Sequence, residues 1–347
     1  MASRFRILTP DAQYADDAEI ERNTAGSDVS WDIFRERVDS RKVPDAVFAA
    51  ADAIIVWHEV PIDAELVRRI PNCRIIVRAG VGFDHIDLKA TGEAGIPVAN
   101  TPDYGTSEVA DHAIGLMLAL CRGITTFHQQ LQADPIGNFD SGRAPLVRRI
   151  RGRIFGVVGL GRIGIATAIR AKAFGMRAIA YDPYAPAGME IAAGVERVDS
   201  LADLLALSDV VSLHCPLTLE TRDLIDAEAL RLMKSDAILI NTARGAIVDI
   251  PALIAAVASR QIGGAGIDVL PIEPPLPDDA FSIAYRDLGA SKLQDRFIVT
   301  PHAAWSSPES RADARRLSVQ TAMMYLQTGK LRNLVNGEYL RDRRTLG

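Results

Sequence analysis

The chain has 347 residues, more than a single hydrophobic core normally supports, so two domains are expected. Hydrophobic residues make up 48% and charged residues 24%, with a formal charge of -5, which is typical of a globular protein and gives no electrostatic reason to expect nucleic-acid binding. Three widely spaced cysteines argue against a disulfide framework or a zinc site and favour a reducing cytoplasm, and the most apolar helical stretch, at 113–120, is too short to cross a membrane.

The first hundred residues alternate short apolar runs with amphipathic segments. Residues 5–9, 53–57 and 74–78 are rich in β-branched side chains and predict buried strands, while residues 64–70 have helical spacing. Strands that alternate with helices predict a parallel sheet covered on both faces. Pro102 then interrupts the pattern, and a long helix is predicted over 107–122 with Ser107 as its cap.

A second alternating series begins near residue 153, after an irregular stretch at 132–150. Strands are predicted at 153–158, 177–181, 210–214, 237–240, 266–269 and 297–299, and helices at 162–175, 200–207, 226–233 and 250–259. Residues 271–295 include four prolines and predict a loop, and residues 308–328 predict a final helix. The predicted fold class is therefore α/β, with two doubly wound parallel-sheet domains.

A glycine-rich turn joins the first strand and the first helix of the second series. Gly159 permits a tight turn, Gly161 lets the backbone approach a pyrophosphate, and Gly164 allows the helix to pack closely on the strand. Asp182 follows the next strand, where an acidic residue that binds the adenosine ribose is expected, and its charge favours NAD over NADP. The alternative is a structural glycine turn beside an unrelated aspartate. The predicted NAD site includes the intervening residues Leu160, Arg162 and Ile163.

Polar motifs follow three later strands of the second series. Arg244 follows the strand at 237–240, Glu273 follows the strand at 266–269, and His302 follows the strand at 297–299. In open α/β sheets, ligands gather at the carboxyl ends of the strands. Oxidation of a 2-hydroxy acid needs a base, a cation for the carboxylate and a group that orients the base, beside a hydride acceptor.

These motifs, in this order after the glycine-rich turn, resemble the D-isomer-specific 2-hydroxyacid dehydrogenases from about residue 74 to the final helix. The resemblance implies that Arg244 binds the substrate carboxylate and polarises its carbonyl, that His302 is the acid/base, and that Glu273 is its partner. A planar guanidinium suits bidentate carboxylate binding, and a carboxylate beside an imidazole favours the charged imidazole. The implied protein is a cytoplasmic NAD-dependent dehydrogenase that interconverts a D-2-hydroxy acid and a 2-oxo acid.

The resemblance also implies further binding residues. The loop after the strand at 74–78 would cradle the substrate carboxylate with its backbone N–H groups. Pro-His-Ala-Ala-Trp at 301–305 most resembles the C-terminal-binding-protein-like branch, in which the tryptophan lies at the substrate pocket, although packing is an equally open role for it. The implied substrate-binding residues are Arg78, Gly80, Val81, Gly82, Arg244 and Trp305. The implied cofactor-binding residues outside the glycine-rich turn are Val109, Asp182, His214, Cys215, Pro216, Thr221, Thr242, Ala243, Asp268 and His302.

Domain order and assembly follow from the same resemblance. A Rossmann dinucleotide-binding domain at 103–299 would be inserted into a flavodoxin-like substrate domain formed by 1–102 and 300–347, and two copies would form a homodimer through the 104–150 region. The segment between Glu273 and His302 is longer than is typical of the family, and a lid, a surface loop and disorder all remain open for residues 276–296.

Other readings of the chain remain open. An NAD-sensing binding protein, like the corepressors of the same branch, is the main alternative, although the chain has no long disordered tail or basic surface. Formate oxidation is disfavoured, because formate-oxidising relatives have glutamine where Glu273 lies, and phosphite oxidation is a further alternative. No metal is expected, because hydride transfer needs none and the histidines lack metal-ligand spacing. His58, His85, His112 and His128 are therefore expected to be surface or packing residues.

Overall fold

A computed structural model of the protein describes residues 4–36 and 42–340. Unit 1 contains the described residues up to Gly105 and from Ser306 onward, and unit 2 is the continuous stretch Thr106–Trp305. The predicted boundaries, 102/103 and 299/300, lie a few residues earlier than these divisions. Backbone hydrogen bonds from Ala303 and Ala304 to Asp268 keep the 300–305 segment with unit 2. Residues 1–3, 37–41 and 341–347 of the predicted substrate domain lie outside the described residues.

Unit 1 is built on a parallel sheet whose five described strands have the order β2-β1-β3-β4-β5. The strands are β1 (Phe5–Thr9), β2 (Val29–Ile33), β3 (Ala53–Val56), β4 (Ile75–Arg78) and β5 (Val98–Ala99). Every residue of β3 and β4 is buried, as expected for strands covered on both faces. This strand order is flavodoxin-like and confirms that part of the predicted fold class.

Helices, numbered along the whole chain, pack on the sheet of unit 1. They are α1 (Glu19–Ala25), α2 (Asp45–Ala50), α3 (Ala64–Arg69), α4 (Leu88–Glu93) and α13 (Pro308–Thr328). Asp63 and Asp87 cap α3 and α4 by accepting backbone N–H groups of the first turn. Ser307 and Ser310 form a capping box at the start of α13, which packs against β3, β4 and α1.

Unit 2 contains a parallel sheet whose seven described strands have the order β12-β11-β10-β9-β6-β7-β8. The strands are β6 (Ile154–Val158), β7 (Arg177–Tyr181), β8 (Glu196–Arg197), β9 (Val210–Leu213), β10 (Ile238–Asn241), β11 (Gly264–Ile267) and β12 (Phe297–Val299). The order reverses between β6 and β9, so the carboxyl ends of these strands flank the crevice where Rossmann sheets bind dinucleotides. The predicted Rossmann fold is confirmed.

The helices of unit 2, with one exception, bury apolar side chains against its sheet in two clusters. They are α5 (Thr106–Arg122), α6 (Ile124–Ala133), α7 (Arg162–Ala173), α8 (Met189–Ala193), α9 (Leu201–Leu207), α10 (Ala227–Leu232), α11 (Ile250–Ala258) and α12 (Ala280–Arg286). The exception is α6, which packs against α5. The long helix α5 packs against α7, β10 and β11. It thereby lies beside the strands that carry two of the predicted site motifs.

The predicted loop over 271–295 is wrong in part, because it contains α12. Asp279 caps this helix by accepting a hydrogen bond from Ser282 N at 2.6 Å, and Phe281 and Ala284, three positions apart, are buried. The prolines at 271–277 end just before the cap and obscure the helical spacing that follows. The sequence also does not predict β5 and β8, since two-residue strands are too short to show alternation.

Candidate active site

The glycine-rich turn brings the end of β6 close to the loop after β9. Gly159 has a φ of +94°, and a Cβ there would lie 2.6 Å from Cys215 N. A Cβ at Gly164 would lie 2.1 Å from Gly159 O, so α7 packs on the turn only with glycine at that position. A Cβ at Gly161, in contrast, would meet no atom of the described residues within 4 Å. The protein's own packing does not require glycine at position 161, but close approach of a ligand to the backbone would.

Asp182 links the glycine-rich turn to the loop after β7. Its Oδ2 accepts a hydrogen bond from Leu160 N at 2.8 Å, and its Oδ1 accepts from Tyr184 N at 2.9 Å and Ala185 N at 3.1 Å. The carboxylate is half-buried, and Arg197 Nη2 donates to the backbone oxygen of Asp182 at 3.0 Å. The negative charge is thus fixed beside the turn, at the amino end of α7, where the helix dipole also favours anions.

The loop after β9 is closed by its own hydrogen bonds. His214 N donates to Val158 O at 2.7 Å, which joins this loop to β6, and the Thr221 hydroxyl donates to Pro216 O at 2.6 Å. Burial lowers the pKa of His214 to about 3 and raises that of the Cys215 thiol to about 11, so both side chains are neutral near pH 7. A neutral loop of this kind suits contact with a nucleoside rather than with a phosphate group.

The turn after β10 presents Thr242, Ala243 and Arg244. Asn241, which is fully buried, donates to Arg244 O at 2.9 Å and accepts from Ala243 N at 3.0 Å, so one side chain fixes the shape of the turn. Within the described part of the chain, the buried Thr242 hydroxyl has no hydrogen-bond partner. An orphaned buried hydroxyl at the carboxyl edge of a Rossmann sheet fits a ligand that supplies the partner.

Glu273 and His302 form a hydrogen-bonded pair. His302 Nδ1 lies 2.6 Å from Glu273 Oε2, and Glu273 Oε1 accepts a hydrogen bond from Leu270 N at 2.8 Å. A Cβ at Gly245 would lie 2.0 Å from the carbonyl carbon of Leu270, so the segment after Arg244 packs tightly against the segment that leads to Glu273. The structure therefore brings the sequence motifs of β10, β11 and β12 to one edge of the sheet.

Asp268 anchors the segment that carries His302. Its carboxylate accepts hydrogen bonds from Thr300 Oγ1 at 2.5 Å, Ala303 N at 2.9 Å and Ala304 N at 2.8 Å. Its backbone oxygen accepts from His302 N at 2.7 Å. The carboxylate is 1% exposed and is committed to the protein's own donors. Asp268 therefore fixes the shape of the segment that carries His302.

In unit 1, the loop after β4 is supported from within by Arg78. The guanidinium Nε donates to Gly82 O at 2.8 Å, and a Cβ at Gly80 would lie 2.3 Å from Arg78 Nη1, so the loop closes over this side chain. Arg78 is 6% exposed. Asn100 Nδ2 also donates to Val81 O at 2.8 Å. Arg78 thus lies beneath the loop that the sequence predicted to bind a carboxylate.

Asp11, which the sequence did not single out, lies at the carboxyl end of β1 in the same unit. Burial raises its pKa to about 6, although hydrogen bonds from Trp57 N, Val60 N and Glu59 N and the charge of Arg78 oppose the rise. The carboxylate holds the 57–60 loop through its two oxygens. In the sequence, the one sign of this role is the position of Asp11 just after a buried strand.

Two further predicted residues lie at the ends of segments in unit 2. Val109 is buried in the first turn of α5, and Trp305 is half-buried at the last position of the unit. His112, expected to be a surface or packing residue, is hydrogen-bonded to Thr300 at 2.9 Å. This bond is compatible with a packing residue, but no motif in the sequence signals its partner.

The fold and the site together define a two-unit α/β protein with a Rossmann dinucleotide-binding unit and an imidazole–carboxylate pair at its edge. The sequence model of the D-isomer specific 2-hydroxyacid dehydrogenase NAD binding domain matches residues 114–304. The chain is 38% identical over 311 residues to a glyoxylate reductase of Korarchaeum cryptofilum, covering 89% of this chain and 90% of that protein. The chain belongs to the D-isomer-specific 2-hydroxyacid dehydrogenase family.

A longer relative and a solved structure are also similar to the chain. The chain is 34% identical over 331 residues to a D-3-phosphoglycerate dehydrogenase of Methanocaldococcus jannaschii, which covers 95% of this chain but only 59% of that protein. The solved NADPH-dependent glyoxylate/hydroxypyruvate reductase of Sinorhizobium meliloti, in complex with NADP and malonate, has a TM-score of 0.81 and 30% identity, covering 99% of both chains. These reductases and dehydrogenases do not favour the corepressor alternative, and they do not single out the C-terminal-binding-protein-like branch, which stays a prediction.

No described helix combines the length and the apolar character needed to cross a membrane.

Proposed function

We propose that the chain is an NAD-dependent dehydrogenase that interconverts a D-2-hydroxy acid and the corresponding 2-oxo acid. The observation that carries the proposal is the 2.6 Å contact between His302 Nδ1 and Glu273 Oε2, in the unit that matches the family's NAD-binding domain. A carboxylate at Nδ1 orients the imidazole and leaves Nε2 as the atom that transfers a proton.

Residues of unit 2 are assigned to proton transfer and to binding of the substrate carboxylate. NADH, when bound, supplies the hydride that reduces the carbonyl carbon of the 2-oxo acid. His302 gives its Nε2 proton to the carbonyl oxygen, which becomes the hydroxyl, and takes that proton back in the reverse direction. Arg244 is assigned to the substrate carboxylate, because Asn241 fixes the turn around it and a guanidinium can form two parallel bonds to a carboxylate.

The preference for NAD over NADP is assigned to Asp182. Its carboxylate is fixed by Leu160, Tyr184 and Ala185, so it cannot move away from a ribose without losing three hydrogen bonds. The 2′-phosphate of NADP, which NAD lacks, would be repelled by this carboxylate at short range. The remaining residues proposed to bind the cofactor are Val109, Gly159, Leu160, Gly161, Arg162, Ile163, Gly164, His214, Cys215, Pro216, Thr221, Thr242, Ala243, Asp268 and His302.

For unit 1, the 80–82 loop is proposed to bind the substrate carboxylate with its backbone N–H groups. Gly80 lets the loop close over Arg78, which supports its shape from beneath. Trp305 is proposed to contact the substrate side chain. The two relatives described as glyoxylate reductases support a small 2-oxo acid as substrate.

A screen of NADH oxidation over 2-oxo acids tests the proposal, with glyoxylate, hydroxypyruvate, phenylpyruvate and 4-methylthio-2-oxobutyrate as the panel. At least one compound should be reduced, and His302→Ala should lower kcat for it by about 10²–10⁴-fold, the usual contribution of acid–base catalysis. The proposal fails if no compound is turned over by protein that binds NADH, or if His302→Ala is as active as the wild type.

A homodimer through the 104–150 region is also proposed. Ile136 and Phe139 are 88% and 83% exposed in unit 2, and Ile124 and Val147 are exposed in the same segment. Large apolar side chains at this exposure favour burial against another surface, and a second copy offers the same patch. The wild type should elute as a dimer in light-scattering chromatography, and Ile136→Ser with Phe139→Ser should shift it toward monomer; a monomeric wild type contradicts the proposal.

A further inference from the structure

His112 lies in α5, and its imidazole takes part in a chain of hydrogen bonds that ends at the segment bearing His302. His112 Nε2 lies 2.9 Å from Thr300 Oγ1 and 3.6 Å from Asp268 Oδ1. Thr300 Oγ1 in turn lies 2.5 Å from the same Asp268 oxygen. The His112 side chain is 25% exposed and the Asp268 side chain 1% exposed, so water competes weakly for these bonds.

The direction of each hydrogen bond follows from the number of protons available. A carboxylate accepts only, so the Thr300 hydroxyl proton points to Asp268. The Thr300 oxygen can then only accept from His112, which requires a proton on Nε2 of that imidazole. The chain therefore runs from His112 Nε2–H to the Thr300 hydroxyl and on to the Asp268 carboxylate.

The same carboxylate fixes both sides of His302. Thr300 lies two residues before the histidine, and Ala303 and Ala304 follow it and donate their N–H groups to Asp268. His302 itself has a φ of +51°, a conformation that non-glycine residues rarely adopt. Its backbone therefore depends on these neighbours to hold it in place.

We infer that His112 is a positioning residue for the acid/base His302, acting through Thr300 and Asp268. This inference rests on the proposed function, in which His302 transfers the proton. The donor from α5 holds the Thr300 hydroxyl in the orientation that bonds Asp268, and it ties the histidine segment to a helix that packs against β10 and β11. Without this donor the Thr300 hydroxyl keeps its bond to Asp268 but loses its tie to α5, which loosens the geometry of proton transfer.

Steady-state kinetics of two substitutions test the inference. His112→Leu removes the donor, whereas His112→Gln keeps an amide N–H that can bond Thr300. His112→Leu should lower kcat by about 3- to 10-fold, the range that one hydrogen bond spans as a rate, with the KM for NADH changed by less than about twofold. His112→Gln should recover at least half of the lost activity. Glu228→Leu, at an exposed position of α10, is the control and should be unaffected.

Two kinetic results would overturn the positioning role. One is a kcat of His112→Leu within about twofold of the wild type, and the other is a His112→Gln variant as impaired as His112→Leu. If His302→Ala also keeps its activity, the proposed function is wrong and the positioning role falls with it. If His302→Ala is inactive while His112→Leu is unimpaired, only the positioning role is wrong.

An imidazole ¹⁵N spectrum provides a readout that does not depend on turnover. The chain has six histidines, and comparison with His112→Gln assigns the signals of His112. The expected spectrum shows a proton on Nε2, and Thr300→Val should shift these signals while those of His128 stay in place. A His112 imidazole protonated on Nδ1 alone, or one insensitive to Thr300→Val, would overturn the inference.

Discussion

Glu273 is the residue whose substitution tests the acid/base pair most directly. Its Oε2 lies 2.6 Å from His302 Nδ1, and its Oε1 accepts a hydrogen bond from Leu270 N at 2.8 Å. Glutamine has the same shape but only one acceptor oxygen, so it cannot serve both partners. If that oxygen keeps the Leu270 bond, the amide NH₂ group faces His302 and requires an unprotonated Nδ1, which opposes the charged imidazole.

The size of the effect follows from the environment of the pair. A hydrogen bond to a charged group contributes about 1.5–3 kcal/mol. The side chains of His302 and Glu273 are 25% and 31% exposed, so solvent screening places the loss in the lower half of that range, about 1.5–2 kcal/mol. Since 1.36 kcal/mol is a factor of ten in rate, Glu273→Gln should lower kcat for 2-oxo acid reduction by about 10- to 30-fold.

Single-turnover NADH oxidation measures this change at the chemical step. Asp278→Asn is the matched control, because it removes an exposed charge from the same segment without touching His302. Its rate should equal that of the wild type. A Glu273→Gln variant within about threefold of the wild type, or an Asp278→Asn variant equally slow, would contradict the assigned pair.

Four further substitutions test the cofactor site and the supporting structure. Asp182→Asn should raise the ratio of kcat/KM for NADPH to that for NADH by about tenfold or more, because it removes the repelling charge and keeps one acceptor; an unchanged ratio contradicts the assignment. Gly164→Ala should lower the free energy of unfolding by about 1–3 kcal/mol in urea titrations, since its Cβ would lie 2.1 Å from Gly159 O. Gly161→Ala should lower the free energy of unfolding by less than about 1 kcal/mol, yet it should weaken NADH binding in titration calorimetry. Burial raises the pKa of Asp11 from 3.8 to about 6, so the folded chain binds more protons than the unfolded chain between these values. The free energy of unfolding should therefore fall as pH rises from about 4 to 6, and this part of the slope should be absent in Asp11→Asn.

Much of the fold can be predicted because its buried strands and main helices have clear patterns. The predicted and observed bounds coincide for β1, β7, β12 and α13. The short strands β5 and β8 and the helix α12 lack such patterns, since their stabilising contacts come from distant parts of the chain. Tertiary packing, which sequence periodicity does not encode, determines them.

The candidate site shows the same division. Arg244, Glu273 and His302 could be identified because each follows a strand end, and parallel strands bring their carboxyl ends to one edge. Hydrogen-bond partners could not be identified in this way. His112 forms a hydrogen bond with Thr300, which lies 188 positions away in the sequence, and the residues around His112 predict only a helix. Arg78 stands in the expected loop, but only the structure shows that its guanidinium lies beneath the loop.

Two carboxylates on one loop hold His302 in different ways. Asp268 follows β11 directly and accepts from the Thr300 hydroxyl before the histidine and from Ala303 N and Ala304 N after it, whereas Glu273, five residues later, binds the ring. A histidine at a φ of +51° costs about 1–2 kcal/mol relative to ordinary backbone, so the segment needs the bonds from Asp268 to remain in this conformation. The spacing between the two acids is therefore a structural requirement. Asp268 must lie directly after β11, and Glu273 must lie far enough along the chain for its side chain to reach His302 Nδ1.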